Sequence, residues 1–291
     1  MAANLTSPRT LRELLARHNI RLKKKLGQNF LVDENVLAKI VAVVDPKKED
    51  RILEVGPGVG TLTLPLARRC HSLLTVEIDP RLIPVLEETL AGRDNITLVK
   101  GDILKTDVSA LCRKEFSGKP VKIAANLPYY LTTPFMFKIL PSTLPLVSLT
   151  LLVQREAARR MVACPGSKDY GSLSLLTEFY SRASLVFPVP PTVFFPRPEV
   201  DSALVFLKPR KEPAVQVSRT DLLFRVIKTS FQQRRKTLAN SLGDMLQGGK
   251  PQAREIIAAA GLPPLTRGED LSLEQFAIIT ELIYNISEND A

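Results

Sequence analysis

Short apolar runs alternate with helix-period stretches along the first two thirds of the chain. In the helical stretches, apolar residues recur three or four positions apart, as from Val36 to Val44, which follow a capping residue at Asp33. The apolar runs have the length of buried strands. They cover residues 51–55, 73–78, 96–100, 121–125, 146–153, 183–189 and 203–207. This alternation predicts an α/β fold with a seven-stranded sheet.

The pattern changes near residue 209. Pro209 and Pro213 mark a linker, and from about Thr220 the apolar positions keep a helical period to the end of the chain. We therefore predict two domains: an α/β domain over residues 1–208 and a small all-helical domain over residues 209–291.

The amino-terminal 25 residues are rich in arginine and poor in acids, a composition that mitochondrial transit peptides share. Ser7 and Pro8 nevertheless form a favourable helix start, and Leu11, Leu14 and Leu15 form an apolar stripe. We interpret this segment as a structural helix of the folded protein.

Basic residues are concentrated in two patches. The chain has a formal net charge of +10; residues 9–25 carry seven Lys/Arg against one acid, and residues 208–236 carry nine against two. Such patches are typical of contacts with a nucleic-acid backbone, although solvated helix faces have the same composition. No apolar run is long enough to cross a bilayer, and neither patch accompanies a strongly apolar face. We therefore expect no membrane partner.

Cysteine and histidine are scarce. The three cysteines are far apart and form no Cys-x-x-Cys pair, and the chain has two histidines. This usage argues for a reducing compartment, such as the cytoplasm, and against a structural metal site. It also leaves almost nothing from which to build a zinc or Ser-His-Asp mechanism.

A nucleotide-binding pattern occupies the exit of the first predicted strand. Residues 51–55 are followed by Gly56-Pro57-Gly58-Val59-Gly60 and by a predicted helix from about 61 to 69. Small residues in such a turn let the backbone approach a ligand closely. Glu77, about twenty residues after the first glycine, can accept hydrogen bonds from both ribose hydroxyls. Asp102 follows the third strand and can accept from the amine of an adenine.

Two features narrow the choice of cofactor: the spacing of the glycines and the presence of two acids on the same rim. The loop reads G-x-G-x-G, whereas a dinucleotide fingerprint reads G-x-G-x-x-G. Two carboxylates on the same rim would also repel a pyrophosphate. A cationic cofactor with a sulfonium and an amino-acid tail suits an acidic rim better. A nicotinamide oxidoreductase remains the alternative.

The fourth strand ends in Asn126-Leu127-Pro128-Tyr129-Tyr130, which places an amide and two aromatic rings at the same sheet edge. The exocyclic amine of a base is a weak nucleophile, because its lone pair is delocalised into the ring. The side-chain oxygen of Asn126 and the carbonyl of Leu127 could hold such an amine and return electron density to it. Tyr129 could stack on the base, which is worth roughly 1 to 3 kcal/mol. An ordinary strand exit has the same residue types, so this interpretation depends on the neighbouring motifs.

Five segments together resemble the motif series of the ribosomal RNA adenine dimethyltransferases. They are Lys24–Leu31 (KKLGQNFL), Leu53–Gly60 (LEVGPGVG), Val76–Asp79 (VEID), Gly101-Asp102 and Asn126–Tyr129 (NLPY). The similarity extends from about residue 10 to the end of the chain. Residues 194–202 (FFPRPEVDS) also resemble the family's F-x-P-x-P-x-V-x-S loop.

The resemblance implies a class I, Rossmann-like methyltransferase sheet and S-adenosyl-L-methionine as the methyl donor. Matched residue by residue, the family's cofactor contacts fall on Asn29, Leu31, Gly56, Glu77, Asp102 and Asn126. The catalytic positions fall on Asn126, Tyr129 and Phe194, and the last of these would clamp the target base opposite Tyr129.

Within this family, the chain is most similar to the bacterial enzymes that dimethylate two adjacent adenosines in a hairpin loop near the 3′ end of 16S rRNA. The similarity therefore implies the small ribosomal subunit as partner and a role in its biogenesis. We also expect a monomer in the cytoplasm. Two other functions stay open. One is a related enzyme that methylates a single large-subunit adenine and confers antibiotic resistance; the other is a ribosome-assembly or transcription factor with little catalysis.

Overall fold

A computed structural model describes residues 4–22, 27–233 and 236–289. The strands are β1 (Phe30–Leu31), β2 (Arg51–Val55), β3 (Ser72–Glu77), β4 (Ile96–Lys100), β5 (Val121–Asn126), β6 (Leu146–Gln154), β7 (Ser181–Val189), β8 (Phe194–Phe195) and β9 (Ser202–Pro209). Seven of them form one sheet in the order β4-β3-β2-β5-β6-β9-β7, and β1 pairs with β8 in a small second sheet. The predicted α/β fold with seven strands is confirmed.

The direction of the strands determines where a ligand can bind. Strands β4, β3, β2, β5 and β6 run parallel, and β9 returns antiparallel beside β6. The carboxyl ends of five neighbouring strands therefore meet at one edge. In open α/β sheets, ligands bind in the crevice at this edge.

Helices connect the strands and form the end of the chain. They are α1 (Pro8–Arg17), α2 (Glu34–Val44), α3 (Thr63–Ala67), α4 (Ile83–Thr89), α5 (Val108–Phe116), α6 (Tyr129–Ile139), α7 (Arg155–Met161), α8 (Ser172–Tyr180), α9 (Thr220–Gln232), α10 (Leu238–Gly243), α11 (Gly249–Ala259) and α12 (Leu273–Asn289). Two predicted helix starts are confirmed. The hydroxyl of Ser7 accepts from the amide of Thr10, and the carboxylate of Asp33 accepts from the amide of Val36.

The helix after the glycine loop is shorter than predicted. It spans Thr63–Ala67 rather than residues 61–69. The residues before it form turns instead, and the amide of Gly60 bonds the carbonyl of Pro57 at 2.9 Å. The sequence shows the apolar period but not the extra turn that three closely spaced glycines allow.

The central strands are buried on both faces. Ile52, Leu53 and Ile123 are inaccessible to solvent, and each such side chain contributes about 1.5–3 kcal/mol by leaving water. This double burial explains why the strands read as continuous apolar runs rather than as alternating ones. It also holds the strand ends at fixed positions, on which the geometry of the candidate site depends.

The chain divides into two compact units. The first contains residues 1–158 and 183–209, and the second contains residues 159–182 and 210–291. The predicted boundary at 208/209 lies within one residue of the observed one, but residues 159–182 belong to the second unit. The reason is that Leu175 and Phe179 of α8 join the apolar core formed by α9 to α12.

Some predicted features lie outside the described residues. They are Lys23 to Lys25 of the first basic patch, Lys24 to Leu26 of the first motif, and Arg234 and Arg235 of the second basic patch.

Candidate active site

Four neighbouring strands place chemically useful groups at one crevice. Asp102 follows β4, Glu77 ends β3, Gly56 follows β2 and Asn126 ends β5. All four residues line the same cavity, together with Asn29 and Leu31. Its volume, counted out to open solvent, is about 1170 Å³. A cavity at this edge of a parallel sheet is a usual place for a small-molecule ligand.

Glu77 is held in place by backbone amides. Its Oε1 accepts from the amide of Asp79 at 2.8 Å, and its Oε2 accepts from the amide of Gly58 at 3.2 Å. Burial raises the pKa of Glu77, although these hydrogen bonds act in the opposite direction. The carboxylate therefore has a fixed orientation before any ligand binds.

The glycine loop approaches the cavity with its bare backbone. Gly56 has φ +69°, and no atom lies within 4 Å of the position that a Cβ would occupy, so the approach to its backbone is open. Gly58 has φ +64°, and a Cβ there would be 2.9 Å from the ring of Phe30. A side chain at Gly58 would therefore displace the segment that carries Asn29 and Leu31.

Asn126 is oriented by the amino-terminal segment. Its Nδ2 donates to the backbone carbonyl of Asn29 at 3.0 Å. An amide has one oxygen and one nitrogen, so a bond that engages the nitrogen leaves the oxygen available as an acceptor. The segment itself is fixed because Phe30 and Leu31 pair with Phe195 and Phe194. The pattern of apolar runs did not predict this small sheet.

The two predicted base-clamping rings do not line this cavity. The hydroxyl of Tyr129 lies 3.3 Å from the hydroxyl of Ser202 and 3.4 Å from the carbonyl of Val200. Phe194 is only 5% exposed and belongs to an apolar core that includes Leu31. In this conformation Phe194 does not present a free face to a base, and its predicted role stays a prediction.

Tyr130, which the sequence analysis did not single out, lines the cavity instead. It is 51% exposed. Burial of its hydroxyl end raises the pKa of Tyr130, and the charges of Asp102 and Glu77 add to this effect. The ring is therefore next to the acidic rim. The signal that could have identified it is the second tyrosine of the NLPYY segment.

Glu54 is a second residue that sequence reasoning missed. It is the fourth of the five residues of β2, lines the cavity and is 2% exposed. Its Oε2 has no hydrogen-bond partner within the described part of the chain, and the Thr63 hydroxyl lies beside it without hydrogen-bond geometry. Burial raises the pKa of Glu54 to about 8, and the charge of Glu77 adds to the effect. A charged residue between Leu53 and Val55, in the buried part of the strand, was the available signal.

Comparison with known proteins decides the family. The chain matches the profile of a family described as "Ribosomal RNA adenine dimethylase" over residues 19–285. It is 42% identical to "Ribosomal RNA small subunit methyltransferase A" of Alkaliphilus metalliredigens, over 95% of this chain and 97% of that protein. It is 41% identical to the protein of that name in Anoxybacillus flavithermus, over 100% of both chains.

The chain belongs to the ribosomal RNA adenine dimethylase family. Two solved structures have a similar fold. A dimethyladenosine transferase from Plasmodium falciparum has the same fold, with a TM-score of 0.75, 24% identity, and coverage of 89% of this chain and 98% of that one. The 23S rRNA methyltransferase ErmE has a TM-score of 0.64, 26% identity, and coverage of 88% and 100%. The predicted class I methyltransferase sheet is thereby confirmed.

Family membership makes this dimethylase an rRNA adenine dimethyltransferase that uses S-adenosyl-L-methionine. The residues of the cavity fit that molecule. Three carboxyl groups, those of Glu54, Glu77 and Asp102, face a cavity that would receive a cation. The open backbone at Gly56 leaves room for close approach of an amino-acid tail. The nicotinamide oxidoreductase alternative is set aside.

Within residues 4–22, 27–233 and 236–289, no group of three or more His, Cys, Asp or Glu side chains is arranged to hold a metal ion. In the same ranges, no helix of this dimethylase has both the length and the apolar character needed to cross a bilayer.

Proposed function

We propose that this dimethylase transfers methyl groups from S-adenosyl-L-methionine to N6 of two adjacent adenosines near the 3′ end of 16S rRNA, in the small ribosomal subunit. The observation that carries the chemistry is the amide of Asn126, whose nitrogen is engaged by the carbonyl of Asn29. The choice of the small subunit is supported by relatives at 41–42% identity that are named for it, against 26% for the 23S enzyme ErmE.

The acidic rim and the glycine loop would hold the methyl donor. Glu77 would accept from the ribose hydroxyls, Asp102 from the adenine amine, and the backbone at Asn29, Leu31 and Gly56 would contact the amino-acid end. When bound, S-adenosyl-L-methionine supplies an activated methyl group on a cationic sulfur. The carboxylates would stabilise that positive charge.

The reacting amine would be held by two acceptors. The oxygen of Asn126 and the carbonyl of Leu127 would each accept a hydrogen bond from an N–H of the amine, which would leave the lone pair of the nitrogen free to react. Correct placement of this kind supplies most of the rate enhancement in a transfer without covalent enzyme chemistry. No strong general base is needed, because the methylated nitrogen is acidic enough to lose its proton to water.

We infer that the target base stacks on Tyr129 and Phe194. The hydroxyl contact of Tyr129 with Ser202 fixes that ring at the start of α6. Phe194 reaches a base only if the pairing of β8 with β1 shifts, since its ring is now in the core. Tyr130 is an exposed ring already at the cavity and is the second candidate for base or cofactor stacking.

The basic patches would contact the RNA backbone, but not all of their charges are available. Arg9 is paired with Glu13, Arg17 with Glu88, and Arg219 with Asp221. Arg225 and Lys228 on α9 are exposed and have no ion-pair partner among the described residues. These two side chains are the best candidates for phosphate contacts.

We expect that replacing Arg225 and Lys228 with glutamine weakens binding to small subunits severalfold and makes the slope of log affinity against log salt less steep by about 1 to 2. The reason is that each lost phosphate contact releases one fewer counterion. The matched control is Lys47→Gln, because Lys47 is exposed but paired with Asp45 at 2.7 Å. An unchanged salt slope in the double variant would show that α9 does not contact RNA.

The function is tested directly with unmethylated particles. The protein is incubated with labelled S-adenosyl-L-methionine and, separately, with small and large ribosomal subunits that lack the modification. The RNA is then digested and analysed for dimethyladenosine. We expect two dimethyladenosines per small subunit, close to the 3′ end of its RNA. Label in the large subunit alone would overturn the proposal in favour of the antibiotic-resistance activity, and donor-independent binding would favour an assembly factor.

We also infer that the protein acts as a monomer in the cytoplasm. Cys70 and Cys112 are buried free thiols and Cys164 is an exposed one, which suits a reducing compartment. Light scattering of the purified protein at micromolar concentration should give a mass near 32.2 kDa.

A further inference from the structure

Asp79 is the centre of a hydrogen-bond network beside the cofactor crevice. Its side chain is 3% exposed. Oδ2 accepts from Nε2 of Gln28 at 2.7 Å, and Oδ1 accepts from Nε of Arg81 at 2.9 Å and from the amide of Arg81 at 3.1 Å. Burial alone would raise the pKa of Asp79, but the bonds from Arg81 and Gln28 outweigh it and hold the pKa below its ordinary value. The carboxylate is therefore charged and fully used.

The network connects segments that are far apart in sequence. Gln28 belongs to the amino-terminal segment, 51 residues before Asp79. Arg81 also donates through Nη1 to the carbonyl of Arg21 at 2.7 Å. The amide of Asp79 donates to Glu77. One residue thus contacts both the proposed ribose acceptor and the segment that closes the amino-terminal side of the cavity.

The segment that Gln28 anchors matters for catalysis. The next residue is Asn29, whose carbonyl receives Nδ2 of Asn126. On its other side the segment is fixed by the pairing of Phe30 and Leu31 with β8. The side chain of Gln28 therefore anchors the part of the segment that precedes the paired residues Phe30 and Leu31. If the anchor is lost, the carbonyl of Asn29 is free to move away from Asn126.

We propose that Asp79 is a positioning residue for this dimethylase: by holding Gln28 and Arg81 it fixes the segment from Gly27 to Leu31 across the donor site and thereby keeps the amide of Asn126 oriented. This inference rests on the proposed function of the cavity. Asp79 is then the second acid of the VEID motif, and its task is distinct from that of Glu77.

The strand end itself does not depend on this network. The amide of Gly56 bonds the carbonyl of Val76 at 3.0 Å, and the amide of Gly101 bonds the carbonyl of Glu77 at 2.8 Å. Backbone pairing on both sides thus holds β3 in the sheet. Removing the Asp79 carboxylate should loosen the segment rather than unfold the sheet.

The test is a double-mutant cycle with Gln28→Ala and Asp79→Asn. Asparagine keeps the shape of aspartate but has a single acceptor oxygen, so its NH₂ group faces a donor from Gln28 or Arg81 in either orientation. We expect Gln28→Ala to raise the dissociation constant for S-adenosyl-L-methionine about fivefold and Asp79→Asn about tenfold or more. The double variant should resemble Asp79→Asn alone, because both changes remove the same link.

Two readouts separate positioning from a general loss of stability. Amide hydrogen exchange at residues 27–31 should accelerate in both single variants, while exchange in β2 and β5 stays unchanged. The control is Asp50→Asn. Asp50 accepts from Nζ of Lys122 at 2.7 Å and from the amide of Lys47 at 2.7 Å, at the amino ends of the strands. The Asp50→Asn change should lower the melting temperature without changing the affinity for the donor.

The outcomes are distinguishable. Additive effects of the two changes, or unchanged donor affinity and exchange in Gln28→Ala, would overturn the positioning role of Asp79. So would an equal loss of donor affinity in Asp50→Asn. If the unaltered protein itself failed to bind the donor in calorimetry, the proposed function would fail instead. Should Asp79→Asn not fold, the exchange and affinity of Gln28→Ala still decide the question.

Discussion

Replacing Asn126 with alanine is expected to lower the rate of methyl transfer by about a thousandfold, while the affinity for S-adenosyl-L-methionine changes by less than about tenfold. The amide oxygen would contact the amine that reacts, so its loss affects the transition state most. The donor keeps its contacts with Glu77, Asp102 and the glycine loop. Single-turnover transfer to small subunits measures the rate, and calorimetry measures the affinity.

A second amide in the same unit provides the control. Asn95 lies just before β4, and its Nδ2 donates to the carbonyl of Ala67 at 2.8 Å. It therefore has the same type of bond as Asn126, but it lies at the amino end of the sheet. Asn95→Ala should reduce stability by about 1–3 kcal/mol and leave the rate per folded molecule unchanged. An Asn126→Ala protein with near-normal transfer would exclude the amide from the reaction.

The cavity at which the predicted site residues meet could be located from the sequence, because it lies at the strand ends. A parallel sheet brings the residues after its strands to one edge, whatever the details of packing. The apolar runs fix those ends within a residue or two, so Glu77, Asp102 and Asn126 were expected to converge, and they do. Here the apolar pattern of each strand and the topology of the sheet both predict that these side chains lie at one edge.

Long-range pairing was not predictable from the same pattern. β1 has two residues, and its partner β8 lies more than 160 residues later. Two adjacent phenylalanines, Phe194 and Phe195, give no alternation from which to decide which ring faces the core. The structure shows that Phe194 is buried, whereas Phe195 is half-buried beneath the guanidinium of Arg12 at 4.8 Å.

Charge counts along the sequence overestimated the free positive charge. The second unit, residues 159–182 and 210–291, has fifteen Lys/Arg and twelve Asp/Glu, so its excess of positive charge is small. The sequence does not show which basic side chains are neutralised by neighbouring acidic ones. The pairing of Arg219 with Asp221 is one such case. RNA contact should therefore depend on a few unpaired side chains rather than on overall charge.

The second large expected effect is a dependence of folding stability on pH, and it arises from Glu54. Burial raises the pKa of Glu54 from 4.5 to about 8 in the folded protein. The folded state then binds a proton more tightly than the unfolded state. This contribution to stability is fully present below pH 4.5 and is lost as pH rises through about 8. At about 1.4 kcal/mol for each pKa unit, the loss is at most about 5 kcal/mol.

Glu54→Gln should remove this dependence. The variant keeps an uncharged side chain of the same shape, so its free energy of unfolding should match that of the unaltered protein near pH 5 and exceed it by several kcal/mol near pH 8. Urea unfolding at several pH values measures the difference. The pKa of Glu77 is also raised by burial, but Glu77 is present in both proteins and largely cancels in the comparison.

The same carboxyl should link donor binding to pH. A cation in the cavity favours ionised Glu54, so binding of S-adenosyl-L-methionine should release a proton and tighten between pH 6 and 8. Calorimetry in two buffers with different ionisation enthalpies counts the protons released. Two other titratable groups lie near Glu54. One is Glu77. The other is Cys70, which stays neutral between pH 6 and 8 because burial raises its pKa to about 11.

In Glu54→Gln, proton release on donor binding should fall and the affinity for the donor should become nearly independent of pH. Equal proton release in the two proteins would mean that Glu54 does not face the bound cation.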